Sequence, residues 1–355
     1  MKRRKFLSAG LGAGAGMAAL ATPAIAQGKI EWNLASAFPK NAPGVGTNAT
    51  NFAEKVGAMT DGRLSITVYG SGELVPPFAV EDAVQQGNIP VGHGPTYYAA
   101  GKNPALHWFT AVPFGMTSNE HFAWLKYGGG QELWDDIYAQ RDLVPFYSGN
   151  SNTQSGGWFK NRIENVDSLK GLNMRIAGLG GEIFRKLGTN AVLMPPPEIF
   201  TAFQSGAIDA AEWVGPMLDQ AFGLQKITKL CYLPALSEPG AGLAIVFNKD
   251  AFAELPADIQ AICMNAAHAA ALESHAQFDY FNARAVTTLK AEGVEFLNFP
   301  DDVVTAMRSA WGEVQDELTA ANADVARVRE SYDTYLAEAR DYAAAMTLPM
   351  LAGRG

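Results

Sequence analysis

The sequence predicts an α/β protein made of two open α/β domains followed by long helices. Three features carry that expectation. Short apolar runs alternate with helical patterns over the first two-thirds of the chain; the alternation restarts after a polar stretch near residue 150; and strand signals almost vanish beyond residue 257. A chain of 355 residues that is 48% hydrophobic has enough apolar material for two cores.

At the start, Lys2, Arg3, Arg4 and Lys5 precede a Gly/Ala-rich apolar run that ends in Ala24-Ile25-Ala26, a small-x-small cleavage signature. Residues 1–26 therefore read as a signal peptide, with the mature chain starting near Gln27 and the protein exported to the periplasm. Arg3-Arg4 ahead of Lys5-Phe6-Leu7 favours the twin-arginine route, although an ordinary secretory signal also carries paired basic residues. The run is too short for the ~20 residues of a membrane-spanning helix. Losing four basic and no acidic residues takes the formal charge from −9 to −13, a surface ill-suited to nucleic acid. The glycines of 10–16 imitate a dinucleotide loop, but they sit inside this export segment.

Strands at 30–35, 64–69 and 89–91 with helices at 48–59 and 78–86 give a β-α-β-α-β order. A strand at 143–146 and a polar loop at 148–152 close that unit. A second series follows, with strands at 158–160, 172–176, 192–193 and 208–213 and helices at 181–187 and 199–204. One more strand, 244–247, returns the chain to the first unit. The expected domains are thus 27–150 with about 240–285, and 151–239 with about 286–325. Residues 257–291 and 301–346 are helical, broken at Phe299-Pro300-Asp301, where Asp301 is placed to cap the next helix. Within a C-terminal helix at 326–350, the preceding Val325 and then Val328, Tyr332, Tyr335, Leu336, Ala339 and Tyr342 recur at helical spacing, which suits packing on the protein's own body or a homodimer contact.

Catalytic motifs are mostly missing: there is no GxSxG, HExxH or P-loop, and neither cysteine has a histidine nearby to activate it. Cys231 and Cys263 read as two buried thiols. His268 and His275, seven apart on one helix, have metal-ligand spacing, but such pairs are more often packing. Gly178-Leu179-Gly180-Gly181 follows a strand and opens a helix, which fits a tight turn or an anion facing free N–H groups. The informative set is Gln154, Arg175, Glu212, Trp213 and Glu238, each at a strand edge or between domains. A guanidinium inside an apolar strand is costly unless paired, and a carboxylate is its natural partner. That partner is either a ligand or Glu212 itself.

Seven runs then add up: IEWNLASAF at 30–38, GELVPP at 72–77, VPFG at 112–115, GGWF at 156–159, LKGLNMRIAG at 169–178, GAIDAAEWVGP at 206–216 and VFNKDAF at 246–252. Together they resemble the DctP-type solute-binding proteins of tripartite ATP-independent periplasmic (TRAP) transporters, across nearly the whole mature chain. The Glu-Trp pair with Gln154 and Glu238 is most similar to the subgroup that binds 2-oxo acids such as pyruvate.

The resemblance implies a periplasmic binding protein-like fold with a central cleft, no catalysis, and delivery of the ligand to a TRAP permease. It implies that Arg175 grips the ligand carboxylate. Gln154, Glu212, the Trp213 carbonyl and Glu238 would hold a cation against the ligand, with Gln154, Trp213 and Glu238 also facing the acid. A 2-oxo acid offers two neighbouring oxygens to an oxygen-loving cation. With Arg175 positive and both glutamates and the ligand negative, sodium leaves one negative charge and calcium none; the resemblance favours sodium. Phe38, Tyr97, Tyr98, Leu236 and Phe247 are nominated for the far end of the ligand, with core packing the alternative for Phe247 and Phe38, while Ser237 and Gly240 leave room for branched or longer acids. Competing readings are a 2-hydroxy acid such as lactate held with calcium, a secreted metal-dependent enzyme using Glu238 as a base, and a sensor subunit.

Overall fold

The computed structural model describes residues 28–354, so the export segment and its cleavage point lie outside the described residues. The strands are β1 Ile30–Ser36, β2 Leu64–Tyr69, β3 Val91–Gly94, β4 Leu143–Asn150, β5 Gly157–Phe159, β6 Asn173–Arg175, β7 Asn190–Val192, β8 Ala210–Ala211, β9 Leu230–Tyr232, β10 Gly242–Asn248 and β11 Glu295–Leu297. They form two sheets, ordered β2-β1-β3-β10-β4 and β11-β9-β5-β8-β6-β7. In the first, β1 runs parallel to β2 and β3, whereas β10 is antiparallel to both its neighbours. Residues 242–247 of β10 are all buried, as suits an interior strand covered on both faces.

The helices are α1 Val45–Met59, α2 Val80–Gln85, α3 Ser118–Tyr127, α4 Gly130–Ala139, α5 Gly178–Lys186, α6 Ile199–Ser205, α7 Pro216–Ala221, α8 Lys249–Ala253, α9 Ala257–Ala291, α10 Asp301–Ala321, α11 Ala323–Tyr342 and α12 Leu348–Ala352. The chain passes between the sheets three times: from β4 to β5, from β9 to β10, and along α9 to β11. The first two passages are laced together, since Ala235 N–H donates to Gln154 O (3.0 Å), Ser151 N–H to Ala241 O (3.0 Å) and Ala241 N–H to Ser151 Oγ (2.8 Å). The third is a 35-residue helix whose small buried residues Ala266, Ala267, Ala270 and Ala271 let it lie close on β4 and α1. Further along, Asn282 of α9 accepts the Met217 N–H at 2.9 Å and so ties the same helix to α7.

Several expectations change here. Residues 148–150 are the end of β4, because each buried polar group has a partner: Asn48 Nδ2 donates to Ser148 O (2.7 Å), Ser148 Oγ to Asn48 Oδ1 (3.0 Å), and Ser274 Oγ to Asn150 O (3.1 Å). Pro300 occupies the cap position of α10 and Asp301 its first turn, while Asp302 accepts the Val166 N–H at 2.9 Å. On α11, Val325, Val328, Tyr332, Leu336 and Ala339 are buried against the α3–α4 region, and Tyr332 Oη accepts the Met116 N–H at 2.8 Å. That apolar face is spent on the protein's own body; Tyr342 is 64% exposed. Among the described residues no helix is long and apolar enough to cross a membrane.

His93 on β3 is the buried hub of the first sheet. Asn48 uses its amide group as donor to Ser148 O, so its Oδ1 accepts the His93 Nε2–H (3.0 Å) and the Ser36 hydroxyl donates to Nδ1 (3.0 Å). Burial pushes the imidazole down from its ordinary 6.5 to about 3. A folded value below the unfolded one gives stability that is present above pH 6.5 and drains away as pH falls. The stability advantage of wild type over His93→Gln, measured by urea denaturation, is therefore expected to shrink steadily between about pH 7 and pH 4.

Candidate functional site

Parallel pairing of β6 with β8 places Arg175 opposite Ala211, so Glu212 and Trp213 leave the sheet beside the guanidinium. The Glu212 N–H donates to Arg175 O at 2.9 Å. Arg175 Nη1 in turn donates to Glu212 O (2.6 Å) and to Glu212 Oε2 (3.0 Å), and the guanidinium carbon lies 5.1 Å from the Trp213 ring centroid. Glu212 Oε2 also accepts the N–H of Ala177, the cap residue of α5, at 3.4 Å. The internal ion pair anticipated as an alternative to ligand gripping is thus present, and it is fully buried, at 1% and 0% exposure.

Gln154 and Glu238 reach the same place from the two laced passages. Gln154 Nε2 donates to Ser151 Oγ (2.7 Å) and to Glu238 Oε1 (3.2 Å), and the Tyr97 hydroxyl donates to the same carboxylate oxygen (3.3 Å). Gln154, Trp213 and Glu238 are all buried. Yet the set is not self-satisfied: Gln154 Oε1, Arg175 Nε, Glu212 Oε1 and Trp213 Nε1 have no hydrogen-bond partner within the protein.

Two carboxylates share this space with one guanidinium. Burial drives Glu212 well above the usual carboxylate range, the charge of Glu238 adds to the effect, and Arg175 opposes it. Burial also lifts Glu238 to about 7, against the pull of Arg175 and the hydrogen bonds from Gln154 and Tyr97. Among the described residues no group of three or more His, Cys, Asp or Glu is assembled to hold a metal. The oxygens that do converge, from Glu212, Glu238 and Gln154, suit a hard cation whose shell is completed by backbone or ligand oxygens.

The nominated wall residues fare unequally. Phe38 lies tilted against Trp213, with centroids 6.2 Å apart, and against Tyr98. Tyr97 has a polar role through Glu238, and Leu236 O accepts the Phe114 N–H at 2.7 Å. Phe247 is a correction: it packs with Phe52 and Phe252 in the core under the first sheet. Gly240 is another, since a Cβ there would meet Asn150 Oδ1 at 2.6 Å; its smallness admits the neighbouring chain rather than a ligand. Gly178 does belong to the site, because a Cβ would lie 3.6 Å from Glu238 Oε2. His268 lies edge-on to Phe122 and His275 bonds the Tyr147 hydroxyl (3.0 Å), so the pair has packing and structural roles. Cys231 and Cys263 are free and buried. Sequence reading missed Ser151, the Ala177 N–H and Asp219; only Ser151, three before Gln154, lay in a segment already marked as inter-domain.

Two α/β sheets joined by three passages, with charged and polar groups gathered where the passages meet, define a solute-binding protein. The model of the DctP family, bacterial extracellular solute-binding protein family 7, matches residues 35–322, and the chain belongs to that family. A monocarboxylate 2-oxoacid-binding periplasmic protein of Nostoc is 39% identical over 306 residues, covering 86% of this chain and 84% of that one. A TRAP periplasmic solute-binding protein of Pseudoalteromonas atlantica, solved with sodium and pyruvate, aligns with a TM-score of 0.89 at 36% identity, over 92% of this chain and 99% of that one. A counterpart from Colwellia psychrerythraea, solved with calcium and pyruvate, gives the same score and identity, over 92% and 100%. A Bordetella bronchiseptica protein, a mixed-occupancy dimer with calcium and picolinate, aligns at 0.90 and 31% identity, over 92% and 97%.

For an acid whose folded value is raised from 4.5 to about 7, stability is full at low pH and is lost as pH rises through 7. Glu238→Gln keeps an oxygen for Tyr97 and cannot ionise. In buffer free of sodium and calcium it is expected to melt above wild type at about pH 8 and level with it at about pH 5.

Proposed function

We propose that this chain is the periplasmic solute-binding component of a TRAP transporter and captures a 2-oxo monocarboxylate of the pyruvate class together with a cation. The observation that carries the reading is the pairing of opposite deficits in one dry space. Arg175 retains a donor without an acceptor, Glu212 and Gln154 retain acceptors without a donor, and two carboxylates face one guanidinium. An acid alone would add a third negative charge, and a cation alone would leave the guanidinium half-used. Anion and cation together complement both.

In this reading Arg175 holds the ligand carboxylate through the side of the guanidinium that Glu212 does not use. Glu212, Glu238, Gln154 and the Trp213 carbonyl face the cation, and Trp213 with Phe38 forms an apolar wall. No bond of the ligand is broken, so the protein acts as a carrier. Domain one comprises 27–150 with about 240–285 and domain two 151–239 with about 286–325; they close on the ligand through Tyr97–Glu238, which links the short helical turn Thr96–Ala99 after β3 to the second passage. The partner is the TRAP permease. A homodimer contact falls to the exposed terminal residues Tyr342, Met346, Leu348, Met350 and Leu351, since α11's own apolar face is occupied. Sodium is the cation expected, calcium the alternative.

Thermal melting in sodium, in calcium and with a chelator tests this. Pyruvate at 100 times its dissociation constant is expected to stabilise the protein by ~2.7 kcal/mol, or several degrees, only where a cation is supplied. No shift with any short 2-oxo acid overturns the assignment. Arg175→Met is expected to fold and lose the shift, whereas an unchanged shift would make Arg175 purely structural.

A further inference from the structure

The second sheet buries a third carboxylate, Asp219 on α7, that makes no ion pair among the described residues. It is fully excluded from solvent, and such burial is costly unless the charge is used. Both of its oxygens are committed: Oδ2 accepts the Trp158 indole N–H at 2.9 Å and Oδ1 accepts the Val214 N–H at 3.2 Å. Trp158 stands on β5 directly opposite Ala211, the residue before Glu212. The carbonyl of Val214 accepts the Ser155 N–H at 2.8 Å, next to Gln154. The backbone of residues 212–214 is therefore pinned four times, by Arg175 O at Glu212 N–H, by Arg175 Nη1 at Glu212 O, by Asp219 at Val214 N–H and by Ser155 at Val214 O. Strand pairing supplies only the first of these, the Glu212 N–H bond that extends the β6–β8 ladder, because β8 ends at Ala211.

We infer that Asp219 is a positioning residue, a buried anionic staple that fixes the turn of Glu212, Trp213 and Val214 in the orientation needed to present the Glu212 carboxylate and the Trp213 carbonyl to a cation. The inference rests on the proposed capture of acid and cation together. An aspartate is suited to the task because both oxygens accept, one from the sheet and one from the turn. An asparagine is not: its amide group can accept from Trp158 or from Val214, and whichever N–H meets the NH2 end loses its acceptor. The backbone of Arg175, which meets the acid, is held on β6 by pairing with β7 and β8, and only the Nη1 side of its guanidinium leans on the turn. Disturbing the staple thus separates the two halves of binding, weakening the cation's share more than the acid's.

The test is a titration of sodium chloride, and in parallel calcium chloride, against a tetramethylammonium background at saturating pyruvate, read by tryptophan fluorescence and melting temperature. Asp219→Asn is expected to raise the cation concentration at half-saturation about tenfold. Its pyruvate affinity at saturating cation is expected to stay within about threefold of wild type. Trp158→Phe keeps the carboxylate and its charge but removes one of its two anchors, so a shift in the same direction identifies positioning rather than lost charge. It also supplies the measurement if Asp219→Asn does not fold. A cation midpoint within about twofold of wild type in the folded variants, or an equal loss of cation and pyruvate affinity, overturns the inference. Failure of the wild-type protein to bind pyruvate with any cation would instead defeat the underlying function, leaving a distinct signature.

Discussion

Burial of two carboxylates beside one guanidinium is the constraint to which the rest of the molecule answers. Removing an ion from water costs several kcal/mol even after relaxation. Here Arg175 and Glu212 meet that cost between themselves, and Glu238 has only neutral donors, Gln154 and Tyr97. The fold places these groups at the one location where both sheets and both non-helical passages converge. Local structure follows from the same need. A cap N–H of α5, free because a helix's first amides have no internal acceptor, is turned onto Glu212, and a glycine at 178 lets the backbone approach Glu238.

The two laced passages make that convergence reproducible. Ser151 is the knot: its hydroxyl accepts from Ala241 N–H and from Gln154 Nε2, joining one passage to the other and orienting the amide that meets Glu238. Asn150 and Gly240 complete the fit, since the glycine surface is filled by the asparagine and the Asn152 carbonyl. Polar side chains thus do the work that apolar packing does in the sheets, and they do it where a ligand would have to enter.

Much of the fold was legible because its longest elements follow simple periods. The bounds of α9 and β2 coincide with the sequence reading, and β1 and β10 deviate by a residue or two. What escaped detection was short or polar. β9 and β11 are three residues each and exist by pairing, β11 with β9 and β9 with β5 as well, which no local signal encodes. The buried end of β4 looked like a loop because its polar groups find partners on α1 and α9, far away in sequence. The helices α3 and α4 were overlooked, although Thr117 and Glu120 form a capping box that a closer reading of Thr-x-x-Glu would have found. At the site, Arg175, Glu212, Trp213, Gln154 and Glu238 were marked by residue type and position, and the structure brings them together. Asp219 could not be marked, because its significance lies in which N–H groups it meets.

The family's matched region stops at residue 322, and α11 begins at Ala323. Yet Tyr332 on that helix holds the Met116 N–H, its ring lies edge-on to Trp124, and its hydroxyl fills the space where a Cβ on Gly115 would fall. Ser331 accepts the Trp124 indole N–H at 3.0 Å. The end of the matched region is therefore not an edge of the packed body. A chain ending at residue 322 would keep every charged group named at the site and still lose the helix that packs on and hydrogen-bonds Trp124.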